Sequence, residues 1–237
     1  MSDAPAPFWF RADVGVARFG FTDARSDLGR GPVEGRRAEG LDVLAAALGD
    51  ARPALMRQVH GAAVALADPD VDAPEADALV LDRPGVAAVV RVADCTPVVL
   101  VDPDRPLAAV VHAGRVGMAS GVVPAAVAAL RSRGAERLEA WVGPRACGQC
   151  YEVPEQMADD VAAVEPAARS TTRWGTPGLD IGAGVIAQLH RADVVVHDLG
   201  GCTIEDERFW SHRRQGDLAG RFGAAVVLRE GDDDGTP

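Results

Sequence analysis

The chain has 237 residues, of which 48% are hydrophobic, a length and composition suited to one large globular domain. Its formal net charge is -11, so its surface repels phosphate backbones and anionic lipids, which argues against nucleic-acid and membrane partners. Lysine is absent and all 24 basic residues are arginine, which excludes lysine Schiff-base chemistry and a Walker A loop.

Hydrophobic periodicity predicts an alternation of strands and helices between two disordered ends, residues 1–7 and 230–237. In chain order, we predict a strand (14–22), a helix (35–49), four strands (76–81, 86–92, 97–102 and 107–112), a helix (117–134), a strand (138–143), two helices (154–164 and 179–192) and two strands (193–199 and 224–229). Asp180 is the predicted N-cap of the last helix. We expect one α/β domain over residues 1–237, with mixed β-sheets in an α/β/β/α layered arrangement.

The N-terminus lacks a basic start followed by an apolar run, so we expect no signal peptide, and the sequence has no stretch of about 18 apolar residues that would predict a transmembrane helix. We therefore expect a cytoplasmic protein whose four cysteines are reduced. No obligate protein partner is evident from the sequence.

Three residues with metal-binding side chains fall beside predicted strands. His60 lies in the stretch RQVHG, Cys95 lies between two strands, and His112 ends a strand. A thiolate and two imidazoles that leave a fourth position open describe a catalytic zinc site, and Asp94 is a candidate to orient one imidazole. The gaps of 35 and 17 residues match no general zinc pattern, so a buried cysteine with two hydrogen-bonded histidines remains an alternative.

Six motifs between Arg57 and Arg221 follow one another in the order RQVHG, ADCTP, HAG, GPRACGQCYEV, CT and FWSHRR…GR. Together they resemble the laccase-domain (YfiH-like) family, also called multicopper polyphenol oxidase, peptidoglycan editing factor or purine nucleoside phosphorylase family. The resemblance implies a catalytic zinc site at His60, Cys95 and His112. It also implies phosphorolysis of adenosine, inosine or methylthioadenosine and deamination of adenosine, with a nucleoside and phosphate as the small-molecule partners.

The sequence departs from the family pattern at three places. Arg115 follows HAG where the family usually has tryptophan, and His212 stands where tyrosine is frequent. The segment TDARSDLGRG, residues 22–31, replaces the usual S-x-N-L stretch. None of these departures affects the three predicted ligands.

Several further residues are candidates to bind the substrate. Arginine binds phosphate through two parallel hydrogen bonds, so Arg57, which shares a motif with the first ligand, is the strongest phosphate candidate. Arg213, which lies in SHRR, and Arg115, which follows the third predicted ligand, are further candidates because a cluster of arginines can hold phosphate beside the metal. Tyr151 and Glu152 are candidates to contact a purine or to carry protons.

Two other functions remain open. Copper is the alternative metal, because blue-copper sites also use two histidines and a cysteine with a weak axial methionine, for which Met118 is a candidate. This alternative gives a copper-dependent, laccase-like polyphenol oxidase, although a single copper is poorly suited to four-electron reduction of oxygen. A peptidoglycan-precursor editing factor is the third hypothesis. The C-x-x-C pair Cys147 and Cys150 has no second such pair to complete a zinc site, and is interpreted as packing or a tight turn.

Overall fold

The structure is a computed structural model that describes residues 7–29 and 36–230. Its strands are β1 (Phe8–Val14), β2 (Ala17–Thr22), β3 (Arg52–Ala54), β4 (Val64–Leu66), β5 (Ala78–Leu81), β6 (Val86–Val92), β7 (Thr96–Asp102), β8 (Leu107–Ala113), β9 (Glu139–Val142), β10 (Arg169–Thr171), β11 (Pro177–Leu179), β12 (Val195–Asp198) and β13 (Phe222–Leu228). Its helices are α1 (Arg36–Ala47), α2 (Arg115–Ala119), α3 (Val122–Arg131), α4 (Glu155–Val164), α5 (Ile181–Arg191) and α6 (His212–Gln215). Within these two ranges, no helix has the length and apolar character needed to cross a membrane. Except for Pro7 and Glu230, the ends predicted to be disordered lie outside the described residues.

Two large mixed sheets organise the fold. The five-stranded sheet has the order β1-β2-β13-β6-β3, in which β3 is parallel to β6 and the other neighbours are antiparallel. The six-stranded sheet has the order β12-β9-β7-β8-β5-β4, with parallel pairs at both edges and antiparallel pairs between them. Strands β10 and β11 form a separate antiparallel ribbon.

The inner faces of the two large sheets form the central core. Phe19, Phe21 and Phe222 of the five-stranded sheet belong to the same buried cluster as Val110 and Trp141 of the six-stranded sheet. The rings of Phe19 and Trp141 lie 4.6 Å apart between centroids. Every residue of β7, β8 and β13 is buried, as the apolar sequences of strands covered on both faces predict.

Helices cover the outer face of each sheet. Leu41 and Leu44 of α1 pack with Val89 and Val227 on the outside of the five-stranded sheet. The six-stranded sheet is covered by α3, α4 and α5, whose buried apolar residues share one cluster with its strands. The predicted α/β/β/α arrangement with mixed sheets is confirmed.

Two predicted elements are divided in the structure. The strand predicted at 14–22 is interrupted by a turn at 15–16, so that Val14 ends β1 and residues 17–22 form β2, which pairs antiparallel with β1. The helix predicted at 117–134 is split into α2 and α3 at Gly121, whose φ of 85° lies in the left-handed region that glycine adopts without steric cost. Asp180 caps α5 as predicted, since its side chain accepts a hydrogen bond from the amide of Ala183.

Candidate metal centre

His60, Cys95 and His112 meet at one end of β7 and β8, the two central strands of the six-stranded sheet. In the antiparallel pair β7 and β8, Pro97 lies opposite His112, so Cys95 at the start of β7 lies beside the end of β8. His60 reaches the same place from the loop between β3 and β4. The fold therefore brings together the three residues that the motif resemblance selects.

The spacing of the three side chains fits a zinc ion. Their ligand atoms lie within 4.8 Å of one another, and the Cys95 sulfur is 3.8 Å from Nε2 of His60. With ordinary bond lengths, a tetrahedral zinc site places sulfur and nitrogen ligands about 3.5 Å apart. One thiolate and two imidazoles are also a donor set that zinc accepts, and they leave its fourth position open.

Gly114, in the HAG motif, lets the chain pass close to two of these ligands. A Cβ at position 114 would lie 2.8 Å from Cδ2 of His60 and 3.1 Å from the Cys95 sulfur. Contacts this short force the ligands to move. The glycine of the motif is therefore required by the close approach of the backbone to the centre.

A buried carboxylate, that of Asp77, orients the centre. Asp77 directly precedes β5, and the antiparallel pairing of β5 with β8 places it beside His112. Nδ1 of His112 donates to this carboxylate at 2.7 Å, and the amides of His60 and Gly61 donate to it at 3.0 and 2.7 Å. Because Nδ1 is engaged, Nε2 of His112 is the nitrogen available to a metal.

The structure gives Asp94, predicted to orient an imidazole, other partners. Among the described residues, the partners of its carboxylate are the Thr203 hydroxyl at 2.7 Å and the Arg213 amide at 2.6 Å, and an imidazole is not among them. Asp94 instead ties the segment before β7 to the start of α6, which fixes the position of its neighbour Cys95. No local sequence pattern marks Asp77, whose partner His112 is 35 residues away.

Two of the four non-glycine residues with a positive φ in the described part of the chain lie at the centre. His60 and Asp94 have φ values of 61° and 85°, in the left-handed region that non-glycine residues seldom adopt. Each such residue costs about 1–3 kcal/mol and persists where its surroundings hold it, which is most frequent at functional sites. Here Asp77 holds the amide of His60, while Thr203 holds the side chain of Asp94. This strain supports a functional role for the place where His60, Cys95 and His112 meet.

Cys95 and His112 shift each other's pKa. Burial raises the pKa of the Cys95 thiol, but hydrogen bonds and charges of His112 and His60 together lower it to about 6. Burial lowers the pKa of His112, but Asp77 and Cys95 together raise it to about 9. Without a metal, the pair is therefore a thiolate and an imidazolium at neutral pH, and the thiolate is the form of cysteine that binds metals.

In metal-free protein, alkylation of Cys95 by iodoacetamide is expected to accelerate through a midpoint near pH 6, because only the thiolate reacts. Below this pH the thiol is protonated, and above it the rate reaches a plateau. Peptide mass spectrometry of chelator-treated protein separates Cys95 from the other three cysteines. His112→Ala removes the neighbouring imidazolium and is expected to raise the midpoint. An unchanged midpoint in this variant would contradict the pairing.

The centre opens into a cavity of about 1190 Å³, which is large enough for a drug-sized molecule. The three candidate ligands lie on its lining. The arginines of the lining are Arg57, Arg91, Arg213 and Arg221. Two carboxylates, of Asp72 and Asp94, also face it, so the arginines outnumber the acidic groups. In a chain of formal net charge -11, this local excess of positive charge favours an anionic ligand.

Three residues that the sequence predicts to bind substrate lie on this cavity, namely Arg57, Arg213 and Tyr151. The guanidinium of Arg213 lies over the Tyr151 ring, 4.9 Å from its centroid. Arg57 forms an exposed ion pair with Glu75 at 2.9 Å. Because Arg57 is already paired with a carboxylate, Arg213 is better placed to bind an anionic ligand. The motifs had instead suggested Arg57 as the strongest phosphate candidate.

Arg115 and Glu152, both in the described part of the chain, are not on the cavity lining. Arg115 begins α2, and Glu152 forms a backbone bridge with Gly178. This placement does not support their predicted contact with substrate. Arg91 and Arg221 do line the cavity, and neither was predicted to bind substrate, although Arg221 ends the motif FWSHRR…GR.

Sequence comparison finds both a family and named relatives. The family model described as multi-copper polyphenol oxidoreductase laccase matches residues 31–229. A purine nucleoside phosphorylase of Streptomyces coelicolor is 45% identical over 235 residues, which cover 89% of this chain and 96% of the relative. A purine nucleoside phosphorylase of Deinococcus radiodurans is 38% identical over 221 residues, covering 88% of this chain and 83% of the relative.

Solved structures share the fold over nearly the whole chain. A Neisseria meningitidis protein superimposes with a TM-score of 0.81 and 26% identity, covering 93% of this chain and 99% of that protein. YlmD from Geobacillus stearothermophilus superimposes with a TM-score of 0.77 and 25% identity, covering 95% and 100%. The family model, the relatives and the motifs agree, and the chain belongs to the multi-copper polyphenol oxidoreductase laccase family, the laccase-domain family that its motifs resemble.

Proposed function

We propose that this protein is a zinc-dependent purine nucleoside phosphorylase. It cleaves the glycosidic bond of adenosine, inosine or methylthioadenosine with inorganic phosphate, which yields the free base and a sugar 1-phosphate. Deamination of adenosine, in which water replaces the C6 amino group and ammonia leaves, is the second reaction that we assign to the same site. We place both reactions in the cytoplasm, whose reducing conditions suit four free cysteines.

The observation that carries the proposal is a three-ligand centre that opens into a cavity lined by arginines. Phosphorolysis needs a bound phosphate dianion next to a nucleoside, and guanidinium groups bind phosphate through paired hydrogen bonds. The names of the relatives from Streptomyces coelicolor and Deinococcus radiodurans support the same reaction.

Zinc suits the donor set of His60, Cys95 and His112, which has three protein ligands and an open position. When bound, zinc supplies a Lewis acid beside the cavity. Asp77 fixes the His112 ring in the tautomer that leaves Nε2 available, and the low pKa of Cys95 provides a thiolate without an external base. The protein thus presents Cys95 already deprotonated and the His112 ring already oriented, and binding of zinc displaces the Nε2 proton of His112.

Copper with an axial methionine is disfavoured by the position of Met118. Its sulfur accepts a hydrogen bond from the Gln188 side chain at 3.4 Å, and it belongs to the buried core beneath the six-stranded sheet. A Cβ added at Gly184 of α5 would lie 3.1 Å from this sulfur, so the Met118 side chain packs against α5. The blue-copper hypothesis needs this sulfur as a weak ligand at the centre instead.

Tyr151 and Arg213 are the residues that we assign to substrate binding. The partly buried Tyr151 ring offers an apolar face to a purine, since aromatic rings stack on bases. Arg213 is exposed, and its guanidinium lies over that ring and has no carboxylate partner among the described residues. Its guanidinium is therefore available to hold phosphate next to a base that contacts Tyr151.

Product analysis with each metal tests the proposal. Protein loaded with zinc or with copper, and freed of excess metal, is incubated with inosine and phosphate, with adenosine alone, and with a phenol in air. We expect the zinc form to release hypoxanthine with ribose 1-phosphate and to convert adenosine to inosine. Phenol oxidation by the copper form, without nucleoside turnover by either form, would contradict the proposal and support the oxidase.

Arg213→Ala is expected to raise the KM for phosphate about ten- to a hundredfold and to change kcat little, because hydrogen bonds to charged groups contribute about 1.5–3 kcal/mol. Initial rates at varied phosphate and saturating inosine measure this change. Arg137→Ala is the matched control, since Arg137 is exposed and pairs with Asp104 outside the cavity. Equal KM values for phosphate in the two variants would remove Arg213 from the phosphate site.

A further inference from the structure

A second group of metal-binding side chains lies outside the His60–Cys95–His112 centre. It consists of Cys147, Cys150, Cys202 and Glu205, whose three sulfurs and one carboxylate oxygen lie within 4.8 Å of one another. None of these four residues lines the cavity described above. The group therefore needs an explanation separate from nucleoside chemistry.

The four residues come from two short segments with the same spacing. The segment Cys147–Cys150 reads C-x-x-C, and the segment Cys202–Glu205 reads C-x-x-E. Each turns back on its first cysteine: the amides of Cys150 and Tyr151 donate to the Cys147 carbonyl at 3.0 and 2.9 Å. Paired ligands separated by two residues are typical of structural zinc sites. The sequence contains no second C-x-x-C, but a glutamate completes the second pair.

The second turn has the same hydrogen bonds as the first. The amides of Glu205 and Asp206 donate to the Cys202 carbonyl at 3.2 and 2.9 Å. A parallel backbone bridge between Arg145 and Cys202 brings the second segment alongside the first. The convergence of four donors is therefore built by regular backbone contacts of both segments.

Arg173 contacts this group from the side. Its guanidinium donates to the Cys150 sulfur at 2.9 Å and to the Glu205 carboxylate at 2.5 Å. Three thiolates and one carboxylate carry more negative charge than a divalent ion neutralises, so a neighbouring cation is a suitable counter-charge. Arg173 supplies it while touching two of the four donors.

We propose that Cys147, Cys150, Cys202 and Glu205 form a second, structural zinc site with four protein ligands. Structural zinc is bound by four protein ligands, and both thiolates and carboxylates are zinc ligands. A disulfide would use only two of the three sulfurs. It would not explain why the third sulfur and the Glu205 carboxylate lie beside them. This inference does not rest on the proposed nucleoside chemistry.

The second zinc site has a structural consequence for the cavity. Tyr151, which lines the cavity, follows Cys150 directly. Thr203, which follows Cys202, donates its hydroxyl to Asp94 beside the first centre at 2.7 Å. A metal that joins the two segments therefore fixes one wall of the cavity and the support of Cys95.

Zinc content of the full chain tests the inference. Protein is purified under reducing conditions, saturated with zinc, freed of excess ion and analysed by mass spectrometry. We expect two zinc ions per wild-type chain, one for each group of donors. Cys95→Ala and the double variant Cys147→Ser/Cys202→Ser are each expected to retain one. Glu207→Gln is the matched control, because it neutralises an exposed carboxylate just beyond the second segment. This variant is expected to retain two zinc ions.

A second measurement covers the case in which the double variant does not fold. In Cys95→Ala, the three remaining cysteines form the proposed site, and a chelator is expected to lower Tm and to make all three thiols reactive. One zinc per wild-type chain, lost completely in Cys95→Ala, would overturn the inference. A single reactive thiol in unfolded Cys95→Ala would show a disulfide and would overturn it as well.

Discussion

Cys95→Ala is expected to lose the zinc of the His60–Cys95–His112 centre and to lower kcat/KM for inosine phosphorolysis by about a thousandfold or more. A thousandfold loss corresponds to roughly 4 kcal/mol of transition-state stabilisation, which is in the range that a metal supplies. The change removes one of three protein ligands but no partner of Asp77, so the variant is expected to remain folded. Zinc content, far-UV circular dichroism and initial rates measure the three effects.

His60→Ala and His112→Ala are expected to show the same loss of zinc and activity. His112→Ala also leaves the Asp77 carboxylate buried without its imidazole, so only this variant is expected to lose substantial stability. His190→Ala, at an exposed position of α5, is the matched histidine control and keeps both zinc and turnover. Full nucleoside turnover by Cys95→Ala would exclude this centre as the site of reaction.

Asp77→Ala is expected to weaken zinc binding about ten- to a hundredfold and to reduce the free energy of unfolding by about 3–5 kcal/mol. The carboxylate is fully buried and accepts hydrogen bonds from the His112 ring and from the amides of His60 and Gly61. Its loss leaves these donors unsatisfied and frees the ring that the metal requires. Competition with a chelator measures the affinity, and urea unfolding of metal-free protein measures the stability.

Asp102→Ala is the control that separates the effect of Asp77 on zinc affinity from its effect on stability. Asp102 is also fully buried and accepts hydrogen bonds from the amides of Asp104 and Glu136, but it lies at the opposite end of β7 from Cys95. Its removal is expected to reduce stability by a comparable amount and to leave zinc affinity unchanged. Equal zinc affinities for the two alanine variants would mean that Asp77 has a purely structural role.

Stability of the metal-free protein is expected to fall towards acid pH partly through Asp77. Burial raises the pKa of this carboxyl, but His112 and the backbone amides lower it further, so its folded pKa lies below the ordinary value. A carboxyl with a lowered folded pKa stabilises the fold above its unfolded pKa, and this contribution is lost as pH falls through the folded pKa. Asp77→Ala is therefore expected to flatten the acid limb of a plot of unfolding free energy against pH.

The central strands were predictable because burial on both faces leaves a simple signal, whereas the three-residue strands β3, β4, β10 and β11 were not predicted. The predicted strand 86–92 matches β6 residue for residue, and the predicted strands 97–102 and 107–112 differ from β7 and β8 by one residue. β1 escaped prediction because its sequence, FWFRADV, lies next to an end that reads as disordered. Its strand character depends on pairing with β2 along a hairpin, a contact that the apolar pattern of β2 alone does not reveal.

The meeting of His60, Cys95 and His112 was predictable only through the combination of motifs. The spacing of His60, Cys95 and His112 matches no general zinc pattern, because three separate strand ends and loops supply the ligands. Asp77 was not predictable for the same reason, since its contact with His112 exists only through the pairing of β5 with β8. Asp94 is next to Cys95 in sequence, but its backbone conformation directs the side chain to Thr203.

The group formed by Cys147, Cys150, Cys202 and Glu205 could not be predicted from the sequence for the same reason. Cys150 and Cys202 are 52 residues apart, and the bridge between Arg145 and Cys202 is what brings their segments together. A sequence search for C-x-x-C pairs does not find the second pair, because its second donor is a glutamate. Spacing within a segment was readable from the sequence, whereas the meeting of two segments required the fold.

The rate of ribose 1-phosphate formation from inosine and phosphate, followed as zinc is restored to chelator-treated protein, is the measurement to make first. We expect no product without zinc, full recovery in the wild-type protein, and no recovery in Cys95→Ala at any zinc concentration. Product formation that depends on phosphate and persists at an undiminished rate in Cys95→Ala, or in wild-type protein shown to be free of metal, would contradict a zinc-dependent phosphorylase at this centre.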